Sequence, residues 1–373
     1  MKILLAKIND FIHTEAVLTI SAAAALLSMF FVPPSAAYFD YIDLRVLGLL
    51  FCLMAVVGGF QRTGVFYMIS ESLLRKVNSV RALGFVLIMI CFFSSMWITN
   101  DVALITFVPF AIMTLSMVGQ KKHIIRIVVL QTIAANLGSM LMPIGNPQNL
   151  YLYSNFHLRM GNFLKITLPC TVVSFILLCI AVLFLRKDPI GPNTAKYKEI
   201  LPKRTRQITL YSILFLLCIV TVLQLLDYRI TFLIVVFTIL LADIQVLRRV
   251  DYSLLLTFVC FFLFVGNIGN ISTIKEYLAS LLNDRVLPAS IAISQVISNV
   301  PCAVLLSAFT DDYKALILGT NIGGLGTLVA SLASLISYKF YCKTENARPG
   351  KYLLVFTIYN LLFLAVLCLV FIS

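Results

Sequence analysis

Apolar runs follow one another along this chain at about 16–32, 44–60, 83–98, 102–118, 124–153, 164–185, 208–226, 230–247, 251–268, 286–309, 315–338 and 352–372. A helical span of a bilayer takes ~20 apolar residues, so 373 residues used in this way leave no room for a soluble domain. Only 12% of the side chains are charged and 61% are hydrophobic, too little polar surface to cover a globular fold. The chain is expected to be an all-α polytopic membrane protein. No HExxH, GxGD or GxSG lies on any run, so no intramembrane enzyme is expected. Nine cysteines without a CxxC spacing, and the well-separated His13, His123 and His157, suggest neither a redox nor a metal centre.

Not every run can cross. Residues 286–297 make ~18 Å of helix against a hydrocarbon core of ~30 Å, so 286–309 should turn back at Ser298-Asn299-Val300-Pro301. Such backbone is tolerated at depth only where it lines a cavity or is buried in protein. The chain also repeats itself. DLRVLGLLFCLMAVVGG from Asp43 aligns with DYSLLLTFVCFFLFVGN from Asp251, a spacing of 208 residues that also relates Gly58 to Gly266. SSMWITNDVALITFVPF (94–110) aligns with SQVISNVPCAVLLSAF (294–309), setting Asn100 on Asn299. NLGSMLMPIGNPQNLYLY (136–153) aligns with NIGGLGTLVASLASLISY (321–338), setting Asn136 on Asn321 and Gly138 on Gly323.

If each TN or SN block is a hairpin returning to its own side, nine crossings remain, five of them before residue 230. An odd number means that the second repeat enters from the opposite side, an inverted-topology repeat of the kind found in secondary transporters. The expected units are a first repeat, 16–186, a cytoplasmic linker, 187–206, an extra span, 207–229, and a second repeat, 230–373. Loops on the side of the N-terminus then hold 22 of the 29 Lys and Arg residues, which places the N-terminus in the cytoplasm and the C-terminus outside. Residues 1–37 have features of a signal peptide in Lys2, Lys7 and the run Ala16–Val32, but the repeat uses this helix, so its retention is expected. Residues 64–80 and 269–284 are expected to be amphipathic helices in the interface.

The residues that resist a packing explanation lie at the two tips and the two interrupted spans. Asp101 follows Thr99 and Asn100 inside an apolar stretch, where a carboxylate must be paired, protonated or bound to a cation. Ser95 and Ser294 stand one turn before the tips and, with Thr99, Ser298 and tip carbonyls, offer hard oxygen ligands for sodium. Pro143 and Pro147 must break the first long span, and Gly323, Gly324 and Gly326 loosen its counterpart as far as Ser331. The broken helix end, with Asn146, Gln148 and Asn149 beside it, suits an anion.

TNDVALITFVPF, NLGSMLMPIGNPQN and SQVISNVP resemble the signature blocks of the ion transporter superfamily. The resemblance is to its arsenite-permease and sodium/proton-antiporter branch and its divalent-anion/sodium symporters, anion permeases with a citrate transporter-like domain. It implies an inverted repeat with two re-entrant hairpins and two broken helices, working as an elevator, as a homodimer in a bacterial inner membrane. By residue, it implies one sodium near Ser95, Thr99, Asn100 and Gly145, with Asp101 as a further sodium ligand or proton site. A second sodium would lie near Ser294, Ser298, Asn299 and Ala330. Substrate contacts fall on Thr99, Asn100, Asn146, Ser298, Asn299 and Ser331. Where the symporter motif has a third tip hydroxyl, this chain has Asp101 and Val300. The expected activity is cation-coupled transport of a small anion, with sodium/proton antiport and arsenite efflux as alternatives. The expected partners are the anion and lipid, with no cofactor beyond the coupling ion and no nucleic acid.

Overall fold

The computed structural model of the chain describes residues 15–36, 38–65, 77–190, 205–271, 280, 282 and 285–372. The interface helices expected at 64–80 and 269–284, and the linker, fall largely outside these residues, as does the segment carrying Lys2 and Lys7. In the first half run α1 (Ala16–Ser28), α2 (Leu44–Thr63), the hairpin α3 (Val80–Ile98) and α4 (Asn100–Met117), the interrupted pair α5 (Ile124–Ser139) and α6 (Pro147–Asn155), and α7 (Met160–Leu183). After α8 (Thr205–Val222) come α9 (Tyr228–Ala242), α10 (Tyr252–Gly269), the hairpin α11 (Val286–Ile297) and α12 (Asn299–Ser307), the interrupted pair α13 (Tyr313–Ile322) and α14 (Leu332–Cys342), and α15 (Pro349–Phe371).

Seven of these helices, α2, α3, α4, α7, α8, α10 and α15, are long and apolar enough to cross a membrane. The protein is a polytopic helical membrane protein. The two hairpins differ in depth. Arms of 12 and 9 residues give α11 and α12 about 18 and 14 Å, half a bilayer. Arms of 19 and 18 residues give α3 and α4 about 28 and 27 Å, enough to cross, because both helices extend beyond the block shared with the second half.

Equivalent residues do equivalent work in the two halves. Asp43 and Asp251 each accept a hydrogen bond at 2.9 Å from the backbone N–H three residues on, of Val46 and Leu254, and so start α2 and α10 as N-caps. A Cβ on Gly58 would sit 2.8 Å from the Cβ of Arg249, and one on Gly266 would overlap the Tyr41 ring. Tyr41 and Arg249 stand two residues before the paired aspartates, at the same spacing of 208 residues, so the two contacts exchange partners between the halves.

Packing follows the same exchange. Helix α4 lies on α14 of the other half while α12 lies on α6, and α2 packs on α9 while α10 packs on α1. Within each half the first hairpin arm lies along the first part of the interrupted helix, α3 on α5 and α11 on α13. Glycine permits both approaches. A Cβ on Gly138 would overlap the Phe92 carbonyl and sit 2.7 Å from Ser95 Oγ, and one on Gly323 would sit 2.8 Å from Ser294 Oγ.

At the end of the molecule where α3 begins, the backbone N–H of Val80 donates to Asp188 O, and that of Ile190 to Asn78 O. The Asp188 carboxylate bonds Lys122 Nζ at 2.7 Å and lies 3.1 Å from His123 Nε2. Lys122 first, then His123, holds this carboxyl below the usual carboxylate range. Loops that the charge pattern assigned to one side, around residues 79, 122 and 188, therefore meet physically.

Gly138→Val should lower the melting temperature of the purified protein by an amount corresponding to about 1–3 kcal/mol, since the side chain must displace a backbone carbonyl. Gly161→Ala, at a helical glycine with nothing within 4 Å of the added Cβ, should be neutral or slightly stabilising. Because its folded pKa is depressed, the Asp188 contribution is present at neutral pH and is lost as the pH falls through that lowered value, below about 4. Protection factors for hydrogen exchange at the Val80 and Ile190 amides, corrected for the intrinsic pH dependence of exchange, should therefore be unchanged between pH 7 and 5 but several-fold lower at pH 7 in Asp188→Asn.

Candidate functional site

Each tip turns on one residue. Thr99 has φ 69° and ψ 151°, and Ser298 has φ 76° and ψ 155°. This is a glycine-like region for L-residues and costs about 1–3 kcal/mol at each tip. The turn ends one helix and starts the next with nothing between. Thr99 Oγ1 lies 3.5 Å from the Val102 N–H, and Asn100 Oδ1 accepts from the Asp101 N–H at 3.0 Å. At the second tip the Asn299 N–H donates to Ala330 O at 3.0 Å and Ser298 Oγ donates to the same carbonyl at 3.3 Å.

A connected set of buried amides joins the first tip to both interrupted helices. Asn100 Nδ2 donates to Asn136 Oδ1 at 3.1 Å, and Ser331 Oγ donates to the same oxygen at 3.1 Å. Asn136 Nδ2 reaches Gly324 O in the opposite half at 3.4 Å. Asn146 Nδ2 donates to Ser139 Oγ and, across the halves, to Asn321 Oδ1 at 3.1 Å. Asn321 Nδ2 in turn donates to Asn149 Oδ1 at 2.6 Å. These five asparagines are each 5% exposed or less, so their amides require partners inside the protein. They satisfy the breaks as well as each other. Asn146 Oδ1 caps α6 through the Asn149 N–H at 2.9 Å, Pro147 needs no partner at the first helical position, and Asn149 Nδ2 holds the Met140 carbonyl at 3.1 Å. In the second half Gln295 does the same work, donating to Gly323 O and Leu325 O at 2.9 Å and accepting from the Thr327 N–H at 2.9 Å.

On the other side of the first tip lies a cavity of about 90 Å³. Thr99 and Asp101 from the tip, Asn146 and Pro147 from the interrupted helix, and Gln61, Arg249 and Asp251 from α2 and the start of α10 supply its polar lining. Leu50, Leu53, Met54, Val102, Ile105, Ile144, Leu150 and Leu254 complete it. Asp101 is half-buried, while Arg249 and Asp251 stand at the exposed rim. Along the second hairpin α12 packs on α10, with the Tyr151 hydroxyl 2.8 Å from Ser307 Oγ and the Tyr151 ring 5.6 Å from that of Phe262.

The structure therefore divides the residues singled out in the sequence. Thr99, Asp101 and Asn146 face the cavity, whereas Asn100, Ser298, Asn299, Ala330 and Ser331 belong to the buried hydrogen-bonded layer behind it. Ser95 and Ser294 bond back to Phe92 O and Ser290 O and abut Gly138 and Gly323. Gly145 sits in a tight turn in which an added Cβ would overlap Ser139 O. The free donors expected at Asn146 and Asn149 are already committed, because a buried amide without a partner is costly. Asn136 and Asn321 were visible as a repeated pair but not as bridges between the halves. Gln61, Arg249 and Asp251 carried no local signal; Arg249 in particular reads in sequence as one more basic loop residue.

The family model described as "Citrate transporter" matches residues 3–313. An uncharacterized transporter of Methanocaldococcus jannaschii is 29% identical over 363 residues, 97% of each chain. The inner membrane protein YbiR of Escherichia coli is 29% identical over 313 residues, 80% of each chain. The silicon efflux transporter LSI3 of rice is 30% identical over 148 residues, 39% of this chain and 30% of its own. With helices that can span a membrane and a cavity beside the first interrupted one, the chain belongs to the citrate transporter family and is a membrane transporter, not an enzyme.

Proposed function

We propose that this protein is a secondary active transporter of a small anion, in first place a carboxylate, coupled to sodium or protons. The observation that carries this reading is the cavity in which Thr99, Asp101 and Asn146 come together beside the first tip. A site formed at a discontinuous helix is where secondary transporters hold substrate and coupling ion. The coupling ion has a seat by charge alone. An anion cannot settle beside Asp101 until that carboxylate is neutralised, so cation or proton and anion favour one another.

The same reading makes the halves an inverted repeat. Support comes from the exchanged contacts of Gly58 with Arg249 and Gly266 with Tyr41, and from each second hairpin arm lying on the other half's interrupted helix. In an elevator step, the hairpins and interrupted helices would move together as one body against α2, α8, α9 and α10. The buried asparagine layer suits that role, since it ties the moving parts of both halves into one unit. A bacterial inner membrane, the N-terminus in the cytoplasm and a homodimer complete the proposal, on the charge pattern and the family. Sodium/proton antiport is a second reading, favoured by the second carboxylate, Asp251, in the cavity lining. Arsenite-type efflux of a neutral oxyacid is a third; a relative named for silicon efflux supports it.

Uptake of labelled citrate and sulfate into proteoliposomes, with sodium and proton gradients imposed separately, distinguishes these readings. Asn100→Ala and Asn299→Ala should each lose at least ten-fold in uptake while eluting as monodisperse protein; wild-type uptake by either would sink the proposed site. Asp101→Asn should remove the dependence on whichever cation gradient drives the wild type. Sodium-dependent proton flux with no added anion would instead favour the antiporter.

A further inference from the structure

The transport site as read from the sequence has no cation at either tip, so nothing in it pairs with the charge of an anion. The cavity supplies one. Arg249 is the one Lys or Arg among the residues lining it, facing the space that Thr99, Asp101 and Asn146 share. Its place is built into the fold. Gly58 brings the backbone of α2 to within van der Waals reach of the Arg249 Cβ, and Asp251, two residues on, fixes the chain direction by capping α10 through Leu254. Among the described residues no carboxylate lies within 4 Å of the Arg249 guanidinium, whereas Arg62, outside the cavity lining, pairs with Asp243 at 3.0 Å. The donors of Arg249 are thus not spent on either aspartate of the cavity.

We infer that Arg249 is the residue that receives the oxyanion group of the transported anion, leaving Asp101 to the coupling cation. This rests on the reading of the protein as an anion transporter and adds the specificity-determining contact that reading lacks. A guanidinium fork matches a carboxylate or another planar or tetrahedral oxyanion with two parallel hydrogen bonds. The leucine, isoleucine and valine walls of the cavity offer no competing polar partner, so the oxyanion group is directed to the rim where Arg249 stands. Charge balance divides the labour. One guanidinium faces Asp101 and Asp251, so an arriving anion finds an excess of negative charge until a cation or proton joins Asp101. The arrangement is also one-sided. At the equivalent position of the other half stands Tyr41, whose hydroxyl accepts from Asn270 Nδ2 at 2.8 Å. An anion presented to that side meets a phenol in place of a guanidinium and is held less tightly.

Thermal-shift titration of the purified full-length protein with citrate and with sulfate, sodium present throughout, tests the inference. Arg249→Gln keeps the Cβ that packs on Gly58, so the fold should persist. Its apparent affinity for the anion that stabilises the wild type should fall ten-fold or more. Arg249→Lys, which keeps the charge but not the fork, should lose less, and Arg248→Gln on the neighbouring exposed residue should lose nothing. Equal affinity in Arg249→Gln and wild type would overturn the assignment and leave the transporter reading standing. An equal loss in Arg248→Gln would overturn it too, as a general effect of basic surface. A wild type that no anion stabilises would overturn the anion reading itself and this inference with it.

Discussion

Inside a bilayer every backbone N–H and C=O must find its partner within the protein or a cavity, and this chain breaks two helices among buried side chains. Everything about the site follows from how those breaks are satisfied. In the first half Asn146 and Asn149 hold the two sides of the PIGNPQN interruption, and in the second Gln295 reaches across to the carbonyls of Gly323 and Leu325. Because Asn136 and Asn321 each extend the network into the opposite half, the two breaks are not independent. A change at one is felt at the other through hydrogen bonds among side chains that are almost wholly buried.

That layer separates rigidity from chemistry. Asn100 faces inward and is bonded to Asn136, while its neighbour Asp101 faces the cavity, so one strained turn at Thr99 serves both. The backbone strain at Thr99 and Ser298 has a purpose in this setting, since it reverses the chain in a single residue and lets a capped helix begin at once. The apolar surfaces around the tips are unequal. Helix α12 packs on α10, which contributes Phe258 and Phe262 to an aromatic cluster with Tyr151, and the first tip borders an opening with charged groups at its rim.

Much of this was legible in the residues. The apolar runs predict the helices closely because lipid imposes both a composition and a length, and the interruptions at Pro143, Pro147 and Gly323 to Gly326 follow from missing donors and missing side chains. The pairing of Asp43 with Asp251 proved to be a pair of helix caps in identical register. The first hairpin has longer arms than the second, since a motif marks where a chain turns but not how far its arms continue. The serines one turn before the tips each donate a proton to their own helix and pack against a glycine of the interrupted one. That choice depends on how closely two helices approach, which spacing along one helix does not contain.

The sequence by itself determined a helical membrane protein and its family, because these depend on hydrophobicity, on period and on residues close together in the chain. Tertiary structure alone decided which polar groups meet. Arg249 and Asp251 come to Asp101 from about 150 residues away. Asn136 finds its partners at Gly324 and Ser331 in the other half. A hydrogen bond or a charge pair acts over a few ångströms in space, and no local pattern records which distant segment will be folded to that distance.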